Sequence, residues 1–209
     1  MLLNNVLWLV TAAFILGACP FSLWMARLGL RKDIRQFGEG NPGTTNVLRA
    51  GGRWTAFASL ALDMTKGVPF TALAWTIVDV TQATALLVGV SAILGSAFSP
   101  FLRFKGGKSI AITAGVMLTF PDKTIPLLAM ALMGVGLLFI RQAGWMVMLS
   151  VTGTLAYVVI TGRGTWYIAF MVFVTVLLAF KHGKDLAQTP VIVNRPLKWL
   201  ARANPGAPF

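Results

Sequence analysis

Continuous apolar runs, separated by short polar and glycine-rich segments, dominate the chain. They fall at Asn5–Met25, Trp54–Val78, Ala83–Leu102, Ile110–Phe120, Ile125–Ile140, Ala143–Ile160 and Thr165–Phe180. The runs lack the period-two alternation of a membrane β-barrel, so their pattern predicts helices in a lipid solvent. A straight span needs about 20 residues, and several runs are shorter. Ile110–Phe120 is the shortest and reads as a half-span or a tilted helix. Irregular backbone at membrane depth is tolerated only where protein buries it or where it lines a cavity. The expected fold is therefore all-α: a polytopic membrane protein of about seven transmembrane helices. Residues 1–187 form its single domain. Residues 188–209 form a tail carrying Pro190, Pro196, Pro205 and Pro208, which lies on the membrane face or is partly disordered.

Composition supports the lipid reading. Of 209 residues, 56% are hydrophobic and 11% are charged, against about 25% charged in a soluble domain. The formal net charge is +12. No long basic face lies outside the apolar runs, which argues against nucleic acid and for anionic substrates or a membrane surface. Orientation follows from the positive-inside rule. With seven spans and the N-terminus outside, segments 26–53, 103–109, 141–142 and 181–209 are cytoplasmic. They hold 15 of the 18 Lys and Arg residues, and the outside segments hold only Lys123 and Arg163. The one remaining basic residue, Lys66, lies inside an apolar run. Met1 to Phe14 lacks the basic start and cleavage site of a secretory signal, so the first run reads as a permanent span. Cys19 is the single cysteine and can form no internal disulfide.

Candidate chemistry concentrates on the predicted cytoplasmic side. The first loop holds Gly38, Glu39, Gly40, Asn41, Gly43, Thr44, Thr45 and Asn46, followed by Arg49. Three glycines in six residues let backbone N–H groups converge on an anion, and Arg49 can meet a phosphate bidentately; a plain flexible turn is the alternative. The second loop runs Lys105-Gly106-Gly107-Lys108-Ser109 into an apolar run. Helix N-terminal N–H groups and two ammonium groups would favour phosphate there; a positive-inside anchor is the alternative. Asp63 and Lys66 sit at a helical i, i+3 spacing within an apolar run, where ionisable groups are expensive and usually functional. They can pair beside a polar cavity, or Lys66 can snorkel to the surface. His182 is the only histidine and follows the last run, with Asp185 three residues on. It can orient an anion or exchange a proton near neutral pH, or sit solvated at the surface. No His, Cys or carboxylate cluster has metal-ligand spacing, and no nucleophilic triad is visible.

Several of these phrases together resemble the bacterial acyl-phosphate:glycerol-3-phosphate acyltransferase family. They are Pro20-Phe-Ser, the loop ending in GNPGTTNVLR at Arg49, Leu62-Asp-Met-Thr-Lys-Gly67, Pro100-Phe-Leu-Arg-Phe-Lys-Gly-Gly-Lys108, and a histidine soon after the last helix. The match runs in order from about Pro20 to Asp185. The resemblance implies a multi-pass enzyme of the inner (plasma) membrane, acting in phospholipid biosynthesis with its site facing the cytoplasm and no cofactor. An acyl phosphate would donate its acyl group to the 1-hydroxyl of glycerol 3-phosphate, giving lysophosphatidic acid and phosphate. It also implies acceptor contacts at Arg49, Lys108 and His182, with Asn41, Thr45, Asn46 and the glycine-rich loop helping to bind phosphate.

The sequence departs from that family pattern. Glu39 stands where the family usually has Ser, and Asp185 where it usually has Asn. Ser96 replaces a usual His and Ser109 a usual Gly. Two added carboxylates near a phosphate pocket are unfavourable by like-charge repulsion. They would suit a divergent paralogue using another acceptor alcohol, less anionic or amine-bearing. Membrane-depth charges and glycine-rich loops also fit an anion transporter, although no paired halves are visible, or a non-catalytic membrane protein.

Overall fold

The computed structural model describes residues 2–76 and 81–193. The end of the second predicted run, and the tail beyond residue 193 with Arg195, Lys198 and Arg202, lie outside the described residues. Eleven α-helices are described: α1 (Leu2–Ala18), α2 (Phe21–Leu30), α3 (Thr44–Arg49), α4 (Arg53–Thr65), α5 (Pro69–Thr76), α6 (Gln82–Ala97), α7 (Ile110–Leu118), α8 (Thr124–Phe139), α9 (Ala143–Ile160), α10 (Thr165–Lys181) and α11 (Gly183–Leu186). Among the described residues there is no strand, only an isolated antiparallel bridge between Ile140 and Ile192. Three stretches are long and apolar enough to cross a membrane: Val6–Leu30, Gln82–Leu102 and Ala143–Ile160. Thr124–Phe139 and Thr165–Lys181 are apolar but shorter.

Two of the predicted runs are broken, and both breaks have a cause in the sequence. Pro20 has no N–H to continue α1. Cys19 N–H turns back to the Leu16 carbonyl at 3.1 Å, and the chain restarts as α2. The second run breaks at Lys66–Val68, ahead of Pro69 at the start of α5. Ile110–Phe120 yields only the nine-residue α7. At 1.5 Å per residue that is roughly 14 Å, about half the hydrocarbon thickness. Its residues Ile112, Thr113, Val116 and Met117 are buried in protein, the condition under which a partial crossing is tolerated.

The main core joins α1, α5, α6, α7, α9 and α10. Leu9, Val88, Ile93, Ile112, Val116, Phe120, Met171 and Val174 are essentially inaccessible within it. Phe120 stacks edge-on against Phe170, with ring centroids 5.1 Å apart. Lipid offers little hydrophobic drive between helices, so close van der Waals approach matters more. The α1–α6 contact shows it: a Cβ added to Gly95 would lie 2.2 Å from the Phe14 carbonyl oxygen, and one added to Gly17 only 2.1 Å from that of Ala92. A second, smaller cluster (Leu23, Ala26, Ile34, Val47, Ala50, Ala56) packs α2, α3 and α4 together beneath the first loop. Residues 188–193 do not trail away. Arg141 N–H meets the Val191 carbonyl at 3.0 Å, Val193 N–H meets that of Phe139 at 2.8 Å, and Trp145 Nε1 donates to the Gln188 carbonyl at 2.8 Å. This return seats α11 over the start of α9.

Candidate active site

Two broken helices frame one cavity of about 400 Å³. At the break the Cys19 carbonyl accepts from Phe21 N–H at 3.1 Å, and Lys66 Nζ donates to the same oxygen at 3.0 Å. Lys66 also pairs with Asp63 at 2.9 Å, with both side chains almost fully buried. Asp63 Oδ2 accepts a short hydrogen bond from Ser22 Oγ, and Ser22 Oγ lies 3.3 Å from Thr44 Oγ1 at the start of α3. Lys66 therefore does not snorkel; it joins α1, α2 and α4. In the sequence Ser22 stood out only as part of the Pro20-Phe-Ser phrase, and the Cys19 carbonyl not at all, though Pro20 inside an apolar run marks where the helix stops.

The first loop is shaped around Arg49. Asn46 is buried, donates from Nδ2 to the Asn41 carbonyl at 2.8 Å, and accepts from Arg49 Nη1 at 3.1 Å. Gly38 has φ +56°, and a Cβ there would lie 2.0 Å from Arg49 Nη1. Glycine at 38 thus admits both the turn and the guanidinium. Asn41, Gly43, Thr44, Thr45, Asn46 and Arg49 all line the cavity, as does Glu39. Gly38 and Gly40 shape the turn from outside the lining.

The second loop is held by backbone bonds and by strained residues. Gly107 N–H donates to the Ser96 carbonyl at 3.1 Å, and Phe104 N–H to that of Ser99 at 2.9 Å. Arg103, Phe104 and Ser109 have φ of +52°, +61° and +59°. Each costs about 1 kcal/mol or more, and such conformations persist only where the surroundings enforce them. The result turns Lys108 inward beside Gly107, with Ser109 and the N-terminus of α7 on the cavity wall. Lys105 points to the surface, and neither it nor Gly106 lines the cavity. Ser96 does line it.

The third piece is the junction of α10 and α11. His182 is fully buried, lines the cavity, and places Nδ1 3.0 Å from Asp185 Oδ2. Asp185 Oδ2 also accepts from Lys108 Nζ at 3.1 Å and from Gly144 N–H at 3.1 Å. Burial opposes ionisation of Asp185, but its bonds to His182 and Lys108 outweigh this and hold its pKa below the usual carboxylate range. Burial pushes the His182 pKa down; the Asp185 bond opposes this and the Lys108 charge adds to it. His182 is thus neutral at neutral pH, with Nδ1–H donating to the carboxylate and Nε2 carrying a lone pair. Nε2 is buried and has no hydrogen-bond partner among the described residues. A Cβ on Gly144 would lie 2.6 Å from that of Asp185, so glycine is what lets α11 close on α9. Gly144, too, carried no signal in the sequence.

Beside these polar groups, Leu60, Met64, Ile110, Ile112 and Ala114 also line the cavity. The arrangement suits an amphiphile with an anionic head. Two consequences can be measured. Lys66→Met leaves Asp63 buried without its counter-charge and should lower stability by about 3–5 kcal/mol; the double variant Asp63→Leu/Lys66→Met should recover part of that loss in a thermal-unfolding assay. His182 is the only histidine, so its ring signals in an NMR pH titration need no assignment. Its midpoint should fall below about 6.5, the ordinary value; a midpoint above that would show an imidazolium rather than a neutral ring.

The chain is similar to known proteins along most of its length. Residues 7–189 match the family described as glycerol-3-phosphate acyltransferase. A glycerol-3-phosphate acyltransferase of Enterococcus faecalis is 39% identical over 116 residues, 56% of this chain and 53% of that relative. One from Streptococcus pyogenes is 34% identical over 204 residues, 93% of this chain and 94% of that relative. The crystal structure of PlsY, an integral membrane glycerol 3-phosphate acyltransferase in its glycerol 3-phosphate form, superposes with a TM-score of 0.79 at 24% identity, covering 87% of this chain and 90% of that one. With a family match across most of its length and a near full-length relative, the chain belongs to the glycerol-3-phosphate acyltransferase family.

Proposed function

We propose that this protein moves an acyl group from an acyl phosphate to the 1-hydroxyl of glycerol 3-phosphate, releasing lysophosphatidic acid and inorganic phosphate. The observation that carries the reading is that one cavity joins Arg49, Lys108, His182 and the α7 N-terminus to an apolar wall of Leu60, Met64 and Ile112. The same space offers cationic and N–H groups to a headgroup and apolar side chains to an acyl chain. An acyl phosphate is already a mixed anhydride, so no nucleophilic Ser or Cys is needed. The hydroxyl oxygen attacks the acyl carbonyl carbon, the bond from that carbon to the phosphate oxygen breaks, and phosphate leaves with the electron pair. The hydroxyl proton has two acceptors within this chemistry: a substrate phosphate oxygen, or Nε2 of neutral His182. Positioning and charge stabilisation then supply the rate. Arg49, Lys108 and the N–H groups at the start of α7 hold anionic oxygens, and Asn41, Thr45 and Asn46 add donors around the glycine-rich turn.

Seven spans with the N-terminus outside put the first loop, the second loop and His182 on the cytoplasmic side of the inner membrane. The 15-to-2 division of Lys and Arg supports that orientation.

Purified protein should release phosphate from palmitoyl phosphate when glycerol 3-phosphate is supplied. Lys108→Ala should lower kcat/KM by about a hundredfold or more, the scale seen when a charge-stabilising donor is lost. Release that ignores the acceptor, from folded protein, would rule the reaction out. For topology, in a Cys19→Ser background, Lys123→Cys should react with an impermeant maleimide in intact cells and Lys105→Cys only after lysis. The reverse pattern would invert the orientation.

A further inference from the structure

Lys108 meets two carboxylates that are held very differently. Asp185 is fixed: its Oδ2 accepts from His182 Nδ1, Lys108 Nζ and Gly144 N–H together, and its side chain is mostly buried. Glu39 Oε2 lies 2.9 Å from Lys108 Nζ, and its side chain is 44% exposed. Lys108 is the only ion-pair partner of Glu39 among the described residues. Glu39 also stands between Gly38 and Gly40, with φ of +56° and +72°. It is therefore carried on the tip of a tight turn that lines the cavity, with one contact to give up.

The charges around the cavity leave little surplus for a dianion. Lys66 is committed to Asp63 and to the Cys19 carbonyl. Lys108 is flanked by Glu39 and Asp185. Arg49 bonds to the neutral Asn46 side chain and makes no ion pair among the described residues. The third N–H of Lys108 can still reach a phosphate oxygen. With tetrahedral geometry at nitrogen, that oxygen would lie roughly 5 Å from Oε2 of Glu39, a range at which like charges repel appreciably. Asp185 cannot withdraw without breaking three bonds; Glu39 can.

We propose that Glu39 is an internal anion that competes with the acceptor's phosphate for Lys108 and so sets how strongly this site takes a phosphorylated acceptor. The inference deepens the acyl-transfer reading and rests on it for the identity of the acceptor. Glu39 must turn out toward solvent, on its flanking glycines, before the phosphate is fully seated. Acceptor affinity is then lower than Arg49 and Lys108 alone would give.

The test reads phosphate binding apart from turnover. Inorganic phosphate is titrated against the thermal stability of the full-length protein in detergent, for wild type, Glu39→Gln, Lys108→Ala and the double variant. Glu39→Gln should reach half-saturation at roughly fivefold lower phosphate, the scale of one partly exposed charge pair. That gain should vanish in the Lys108→Ala background. The KM for glycerol 3-phosphate should fall by a similar factor in Glu39→Gln. Unchanged or weaker phosphate binding in Glu39→Gln overturns the proposal, as does an equal gain without Lys108. Absence of acyl transfer in every variant would overturn the assigned reaction, while the phosphate titration would still decide the role of Glu39.

Discussion

In a bilayer every broken helix must find partners for its freed backbone groups, and this molecule satisfies that constraint with a charge. Where α1 stops at Pro20, the Cys19 carbonyl accepts from Phe21 N–H, and Lys66, at the end of a second broken helix, donates to the same oxygen at 3.0 Å. A lone ammonium at that depth would be costly. Asp63 neutralises it one turn away, and Ser22 satisfies the carboxylate in turn. The ion pair is thus a joint between α1, α2 and α4 as well as a polar wall. Its neighbour Thr44 opens α3, so the same joint fixes where the glycine-rich loop ends. The cavity exists because two helices stop at one level and are tied there.

From that joint outward the site is built of rigid pieces. Asn46 clamps the turn to Arg49. Backbone bonds from Gly107 to Ser96 at the end of α6 and from Phe104 to Ser99 just beyond it fix the second loop, and three non-glycine residues with positive φ there are held against their preference. The chain after α11 returns to the α8–α9 connection and presses Asp185 onto Gly144. Each device reduces reorganisation when charge moves, which is where a reaction without a protein nucleophile must find its rate.

Electrostatically the site is more balanced than its basic composition suggests. The formal charge of +12 belongs mainly to loops and surface. Within the cavity, Lys66 and Lys108 are both paired with carboxylates. His182 stays neutral because burial outweighs its bond to Asp185. Glu39 and Asp185 have different structural meanings. Asp185 takes the position of a fixed acceptor for a histidine N–H, a role an amide oxygen also fills. Glu39 introduces a charge that only a mobile side chain can reconcile with phosphate.

The sequence by itself determined the helical class, the lipid solvent and which loops are glycine-rich and basic; the breaks at Pro20 and before Pro69 lie inside what read as single runs. Those properties are local: apolar run length, Pro20, Pro69 and the glycine-rich phrases act on their own neighbours. The i, i+3 pairing of Asp63 with Lys66 was legible for the same reason, because helical geometry brings such residues together; the bond from His182 to Asp185 was not read from their spacing. Only the tertiary structure decided that Lys66 reaches Cys19, that Lys105 faces away while Lys108 faces in, that Glu39 and Asp185 converge on one ammonium, and that Gly144 admits α11. Those contacts join residues far apart in sequence across helix–helix packing, and nothing in the local pattern records which distant backbone or charge will be waiting there.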